Sequence, residues 1–504
     1  MARVPTLTYD RGTLLLHPPP RGRGWMEYAT WDDRVEKFRI PGNNYRHLVE
    51  VLQREQTDFI DKAKAFATLE LDSQLNLEPY PHQAAALQAW KRAGRQGVIV
   101  LPTGAGKTLV AQLAMAATPR STLILVPTID LMHQWYAQLL ITFPGTEIGL
   151  LGGGSRDRTP ILISTYDSAA IQIESLGDLY GLLICDECHH LPTDFYRVVA
   201  EYSIAPYRLG LSATPERSDG KHQDLEQLLG KEVYRQTAAD LAGSALAPYR
   251  VEQIEVKLSD EELSRYHKLI EERDIFLRSQ KISFGSIDGW QKFIRASCRS
   301  TEGRRAMLAH REAKEITLST NGKLRILAEI LDRHYPESTL IFTSDNATVY
   351  RIAQSLLIPA ITHHTPVKER HQILTHFREG TYNVLVASQV LNEGVDVPAA
   401  SIAVILSGTA SPREYIQRLG RILRKGKADK QAVLYELISK GTSEERVSAR
   451  RRGEMPENDR QTRSEPAKVI QLPIRYGQSV DVGLKVAEED NNPPPIDPDG
   501  KLKY

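Results

Sequence analysis

The stretch Leu101-Pro102-Thr103-Gly104-Ala105-Gly106-Lys107-Thr108 constrains this chain more than any other. It follows the apolar run Gly97-Val98-Ile99-Val100 and leads into Leu109-Val110-Ala111-Gln112-Leu113-Ala114, a helical pattern. Strand, glycine-rich loop and helix together are the context a phosphate-binding loop needs. Gly104 and Gly106 let the backbone turn its N–H groups inward at phosphate oxygens, and the helix that follows adds the positive end of its dipole. Thr103, Gly104, Ala105 and Gly106 are therefore read as the cradle, Lys107 as the cation for the β- and γ-phosphates, and the Thr108 hydroxyl as a Mg²⁺ ligand. A strict pattern has glycine where Leu101 stands, and a glycine turn before an exposed lysine is the alternative reading, disfavoured by the flanking strand and helix.

Length and composition narrow the class. At 504 residues there is room for two to four domains, and 41% apolar with 25% charged residues is ordinary globular composition. There is no apolar run of the roughly 18 residues a membrane span needs, and Met1-Ala2-Arg3-Val4-Pro5 lacks the apolar core of a secretory signal, so the cytoplasm is expected. A net charge of +1 means that any nucleic-acid contact must come from local basic patches. Three cysteines do not make a disulfide framework. Cys185-Asp186-Glu187-Cys188-His189 has the C-x-x-C-H spacing of haem attachment, but no second ligand pair at zinc spacing accompanies it, and the cysteines are read as incidental.

Residues 1–78 read as a small separate unit, with two short strands around the Asp10-Arg11-Gly12 turn and a helix from about Tyr45 to Gln56. Arg21, Arg23, Arg34, Arg39 and Arg46 interleave with Trp25, Tyr28, Trp31 and Tyr45. These residues fit backbone contact with base stacking and fit a solvated basic face equally well. From Pro79 short, continuously apolar strands alternate with helical patterns: Thr122–Pro127, Pro160–Thr165, Leu182–Cys185 and Tyr207–Ser212. That is a parallel sheet covered on both faces, whose ligands bind at the strands' carboxyl ends. The strand Leu182-Leu183-Ile184-Cys185 closes in Asp186 and Glu187, one carboxylate for Mg²⁺ and one to polarise an attacking water. With the loop, this acidic pair points to nucleotide hydrolysis.

Residues from about Leu246 to Glu315 break the alternation with charged helical patterns, including Leu263 to Gln280. A solvated helical hairpin and a DNA clamp fit them equally. Alternation resumes at Lys323, with strands Thr339–Ser344, Asn383–Ser388, Ile402–Leu406 and Ala432–Leu437. In Gln417-Arg418-Leu419-Gly420-Arg421-Ile422-Leu423-Arg424, Arg421 and Arg424 share a helical face, the geometry for two guanidinium groups entering a site held by the other domain. From about Glu444 the pattern dissolves into a Pro-, Gly- and Arg-rich tail.

Taken together, the motifs resemble the superfamily 2 helicases, and within them the XPB-type DNA helicases. Asp186-Glu187-Cys188-His189 resembles the family's D-E-x-H box, with His189 in a coupling role. Ser212-Ala213-Thr214 resembles the motif linking hydrolysis to strand movement, which makes Ser212 and Thr214 coupling residues. The resemblance implies strand contacts at Pro127, Thr128, Thr165, Arg217, Asp219, Thr343, Asn392 and Gly394, and nucleotide contacts at Gln83 and Asp396. Gln417, Arg421 and Arg424 would complete catalysis with Lys107, Asp186 and Glu187. Tyr9-Asp10-Arg11-Gly12-Thr13 and Trp31-Asp32-Asp33-Arg34 resemble the family's damage-sensing domain. One departure stands out: where the family often has Arg-Glu-Asp, this chain has Arg217-Ser218-Asp219.

The resulting expectation is an α/β protein with two RecA-like parallel-sheet domains in tandem, a small α+β N-terminal domain and a helical thumb-like insertion. Its parts are 1–78, a DNA-binding and damage-recognition-like domain; 79–245, the ATP-binding motor domain; 246–445, a second motor domain with the insertion at about 260–313; and 446–504, a flexible tail. The expected activity is ATP- and Mg²⁺-dependent 3'-5' translocation on, or opening of, DNA by a monomer, in repair or transcription, with a nuclease partner implied by the resemblance. Remodelling of duplex without unwinding, action on RNA, and a non-catalytic nucleic-acid scaffold are the alternatives.

Overall fold

The computed structural model describes residues 4–71, 78–217, 219–241, 249–284, 288–388, 400–407, 432–451 and 468–469. No helix among them is long and apolar enough to cross a membrane.

The N-terminal sheet runs in the order Thr30–Asp32, Lys37–Pro41, Thr13–His17, Thr6–Asp10, Ile60–Lys62. Its central hairpin pairs Asp10 with Thr13, which leaves Arg11 and Gly12 as a two-residue turn. Both have positive φ, 46° and 92°, the backbone that matches strand twist in tight hairpins. Helix Tyr45–Arg54 covers the sheet with Tyr45, Leu48 and Leu52, and packs with Leu7, Leu14, Leu16, Trp25 and Ile40. Ile204, from the next sheet's domain, belongs to the same core. Arg46 Nη1 donates to Gly94 O at 2.7 Å and Pro206 O at 3.1 Å, and Tyr9 OH donates to Tyr202 O at 3.1 Å. A Cβ on Gly12 would fall 2.3 Å from Tyr202 Cγ, so the turn itself is seated against the neighbouring domain. The small sheet is thus fastened to its neighbour through both core and hydrogen bonds.

The second sheet runs Glu232–Arg235, Gln96–Val100, Tyr207–Ser212, Leu182–Asp186, Thr122–Val126, Ile161–Thr165, Ile148–Gly152, Ser155–Arg156, parallel except for the last, edge strand. Alternate residues face opposite sides. Ile99, Ile124, Ile163, Ile184 and Leu209 pack with helices Pro81–Arg92, Lys107–Ala117 and Ile129–Thr142. Val98, Leu123, Leu125, Leu162, Leu183 and Cys185 pack on the other face, mainly with helix Tyr166–Leu176. Cys185 and Cys188 are therefore core residues, and burial pushes the Cys185 thiol up to about 12. Gln96–Val100 lies beside Tyr207–Ser212, which lies beside Leu182–Asp186, so loop, Ser212 and Asp186 share one carboxyl edge.

The third sheet is parallel throughout: Ala360–Ile361, Val384–Ala387, Thr339–Phe342, Ile402–Ile405, Ala432–Ser439, Tyr249–Val256, Lys468–Val469. Here the structure corrects the sequence reading at its boundary. The region from Leu246 begins with an eight-residue strand, Tyr249–Val256, paired along its length with Ala432–Ser439. Only then come helices Asp260–Ser279, Gly289–Ser297 and Thr301–Leu318. Ser259 and Glu262 form a capping box that starts the first of them, and Tyr266, Leu269, Ala309 and Ala313 knit the first to the third. A second correction concerns Glu444, where the pattern was expected to dissolve. Helix Ser443–Arg451 stands there, with Glu444 and Ser448 buried.

Candidate active site

The glycine loop is held from behind. Gly104 and Gly106 have φ of 87° and 80°, left-handed backbone that glycine adopts without strain. Gln83 Nε2 donates to Ala105 O at 2.9 Å while Gln83 Oε1 accepts from Tyr80 N at 2.9 Å, and His82 Nε2 lies 2.9 Å from Ala105 O. A Cβ on Gly106 would sit 2.2 Å from Gln83 Nε2 and push that amide off Ala105 O. Gln83, expected as a nucleotide contact, is buried in this conformation and braces the loop. Lys107 and Thr108 open helix Lys107–Ala117, and the buried Thr103 Oγ1 has no hydrogen-bond partner among the described residues.

Lys107 Nζ stands 3.2 Å from Glu187 Oε1, with both side chains only slightly exposed. Asp186, the last residue of its strand, is nearly buried; Trp135 Nε1 donates to its Oδ2 at 2.9 Å and Glu187 N donates to its Oδ1 at 3.0 Å. Burial, then the neighbouring Glu187 charge, raises the Asp186 carboxyl, against the pull of Lys107 and the Trp135 hydrogen bond. Glu187 has φ 47°, left-handed backbone that costs a non-glycine residue about 1–3 kcal/mol. That turn swings its carboxylate off the strand line, toward Lys107 and His189.

A polar chain leads away from Glu187. Its Oε2 is 3.4 Å from His189 Nδ1, which is 3.2 Å from Ser212 Oγ, which accepts from Thr214 N at 3.2 Å. Arg217 Nη1 donates to His189 O at 2.7 Å, and its Nε and Nη2 grip Asp219 at 3.0 and 2.7 Å. Arg217 and Asp219, expected to meet a strand, are in this conformation each other's partners, and Arg217 also ties back to the acidic box. Thr128 and Thr165 are helix N-caps, accepting from Leu131 N and Ser168 N. Thr343 is fully buried and donates to Asp345 O at 2.9 Å, so its hydroxyl shapes a turn. Asn392, Gly394, Asp396, Gln417, Arg421, Arg424 and Ser218 lie outside the described residues.

Two residues were missed by sequence reasoning, one of them at the site. Trp135 holds Asp186, and its signal was available: a tryptophan inside an apolar helix needs a partner for its N–H. Arg370, in helix Val367–Glu379 of the third sheet's domain, donates through Nη1 to Asp130 Oδ2 at 2.7 Å, beside Thr128. Nothing local in sequence marks that pair.

Comparison with known proteins decides the family. A DNA 3'-5' translocase XPB2 of Sulfurisphaera tokodaii is 39% identical over 422 residues, covering 84% of this chain and 95% of that protein. The chain belongs to the XPB family. Residues 7–63 match the Xeroderma pigmentosum group B helicase damage recognition domain, 76–217 the type III restriction enzyme res subunit, and 322–426 the helicase conserved C-terminal domain. DNA 3'-5' helicases XPB of Kineococcus radiotolerans and Mycobacterium tuberculosis are each 30% identical, and this chain spans 61% and 60% of their lengths. Among solved structures, the Pyrococcus furiosus Hef helicase domain matches with TM-score 0.50 at 22% identity, over 73% of this chain and 97% of that one. Yeast Dbp5 bound to RNA and ADP BeF3 matches with TM-score 0.52 at 16% identity, over 75% of this chain and 88% of that one. The two large sheets of this XPB-family chain share the tandem RecA-like fold of those structures, and its family makes the chain a nucleotide-dependent motor of the helicase class.

Proposed function

We propose that the chain is an ATP-driven, 3'-5' DNA translocase and helicase of the XPB type that works as a cytoplasmic monomer on single-stranded or forked duplex DNA. The observation that carries this is the Lys107–Glu187 contact of 3.2 Å at the shared carboxyl edge, beside Asp186. The donor set fits Mg-ATP. Gly104 and Gly106 hold the left-handed backbone that lets loop N–H groups turn toward phosphate, Thr103 Oγ1 is a buried hydroxyl with no partner among the described residues, and Asp186 keeps a lone pair on each oxygen.

In this reading Thr103 to Gly106 cradle the phosphates, Lys107 leaves Glu187 for the β- and γ-oxygens, and Thr108 and Asp186 hold Mg²⁺. The metal, when bound, neutralises charge gathering on the transferring phosphoryl group. Glu187, released by Lys107, orients and accepts a proton from the attacking water. His189 and Ser212 carry the change at Glu187 toward Thr214 and Arg217. Gln417, Arg421 and Arg424 complete the site from the second motor domain, assisted at the nucleotide by Asp396. Pro127, Thr128, Thr165, Thr343, Asn392 and Gly394 follow the strand backbone, which positions without reading sequence. Alternating closure and reopening of two domains that both hold the strand moves the grip along it.

A second reading, translocation along duplex without unwinding, is favoured by Ser218 between Arg217 and Asp219, and by the Arg217–Asp219 pair closing on itself. ATP turnover measured with single-stranded DNA, forked DNA and RNA tests the substrate. Stimulation by both DNAs and not by RNA is expected, and equal or greater stimulation by RNA would overturn the DNA assignment. Forked-duplex unwinding set against triplex displacement separates the two motor readings.

A further inference from the structure

Trp135 is almost completely buried in the apolar face of helix Ile129–Thr142, among Met132, Leu139 and the strand residues Ile124 and Ile184. Its one polar atom, Nε1, donates to Asp186 Oδ2 at 2.9 Å. The opposite oxygen, Oδ1, accepts from Glu187 N at 3.0 Å. A carboxylate with one fixed donor on each oxygen cannot rotate about its Cβ–Cγ bond without breaking a hydrogen bond in a buried setting, and each such loss is costly. Each oxygen still has a lone pair for a cation. Outer donors of this kind fix a ligand's orientation before the metal arrives.

We propose that Trp135 is a positioning residue for divalent-metal binding at Asp186: its indole N–H holds the carboxylate in the orientation that receives Mg²⁺ with nucleotide. This rests on the reading of Asp186 as a metal-holding residue given above. The indole surface packs in the core, and the N–H alone reaches the site, so the two roles of the residue separate in Trp135→Phe. Phenylalanine keeps an aromatic ring in the core and removes the donor.

The test is equilibrium binding of a fluorescent ADP analogue to the full chain, titrated with Mg²⁺ and repeated in EDTA. In the Trp135→Phe protein the Mg²⁺ concentration for half-maximal tightening rises about tenfold, within the 10–100-fold usual for loss of an outer-shell partner. Its affinity in EDTA stays within about twofold of the parent, since the loop is untouched. In an Asp186→Asn background the same substitution produces no further rise, because the oriented carboxylate is already gone. An unchanged Mg²⁺ dependence, or an equal rise in the Asp186→Asn background, overturns the role of Trp135. A parent protein whose nucleotide affinity ignores Mg²⁺ overturns the metal reading itself and this inference with it. A measurement that needs no change at Trp135 runs beside these: the chain's five indole N–H resonances, recorded in the parent and in Asp186→Ala. One of the five shifts and exchanges faster if Asp186 is its acceptor; five unmoved resonances contradict the proposal.

Discussion

Two lysine–glutamate pairs, one in each motor sheet's domain, show how the same chemistry is put to different use. Lys107 Nζ stands 3.2 Å from Glu187 Oε1, with both side chains in partial contact with solvent. Lys323 Nζ is fully buried, 2.7 Å from Glu444 Oε2 and 2.7 Å from Leu406 O. Glu444 Oε2 also accepts from Ser439 N at 2.9 Å, so that carboxylate is committed inside the fold. The second pair ties helix Asn321–His334 to helix Ser443–Arg451 and to the strand ends between them. The first is longer, has fewer partners and faces the glycine loop. The pair that the proposed function has part when phosphate arrives is loosely held; the other is buried and held by several partners.

The comparison is sharpened first at Lys323. Removing one partner of a buried ion pair strands the other charge, which costs about 3–5 kcal/mol. Lys323→Met should lower stability by that amount in denaturant unfolding, while nucleotide binding by the protein that remains folded is unchanged. Glu444→Gln, which keeps shape and one acceptor, should cost less than Lys323→Met. Lys107→Met should do the reverse: turnover falls by about 10²–10³-fold, as when a transition-state donor is removed, with unfolding shifted by less than about 1 kcal/mol. Were Lys107→Met the more destabilising of the two, the distinction between a working pair and a structural one would fail. The smallest effect belongs to Arg370→Gln, which breaks the 2.7 Å contact to Asp130 between the two motor sheets' domains. It should reduce DNA-stimulated ATP turnover by a few fold and leave basal turnover alone; a loss of both together would assign Arg370 to folding.

Local chemistry made much of this molecule legible in sequence. The Asp10-Arg11-Gly12 turn, the apolar strands and the acidic strand end at Asp186 and Glu187 all stand where pattern put them. What stayed hidden depends on partners distant in the chain. Strand Tyr249–Val256 carries Arg250, Glu252 and Gln253, and these polar residues left it inside the stretch read as breaking the alternation. Glu252 and Gln253 are in fact buried, and Gln253 Nε2 donates to Glu436 Oε2 at 3.3 Å across the sheet. Helix Ser443–Arg451 was obscured the same way: its buried stripe is Glu444 and Ser448, a polar stripe answered by Lys323 and by Glu436, whose Oε1 accepts from Ser448 Oγ at 2.7 Å. Hydrophobic periodicity detects neither. In the site, the acids were plain but what holds Asp186 was not, since the Trp135 N–H reaches it from another strand's helix.

The central claim is that Glu187, facing Lys107 at the carboxyl edge, activates water for ATP hydrolysis. Its most direct test is single-turnover hydrolysis of Mg-ATP by Glu187→Gln on single-stranded DNA, with ATP affinity measured in parallel. The account predicts affinity within a few fold of the parent and a hydrolysis rate lower by about 10²–10⁴-fold, the contribution of a positioned general base. A Glu187→Gln protein that hydrolyses ATP at the parent's rate would contradict it.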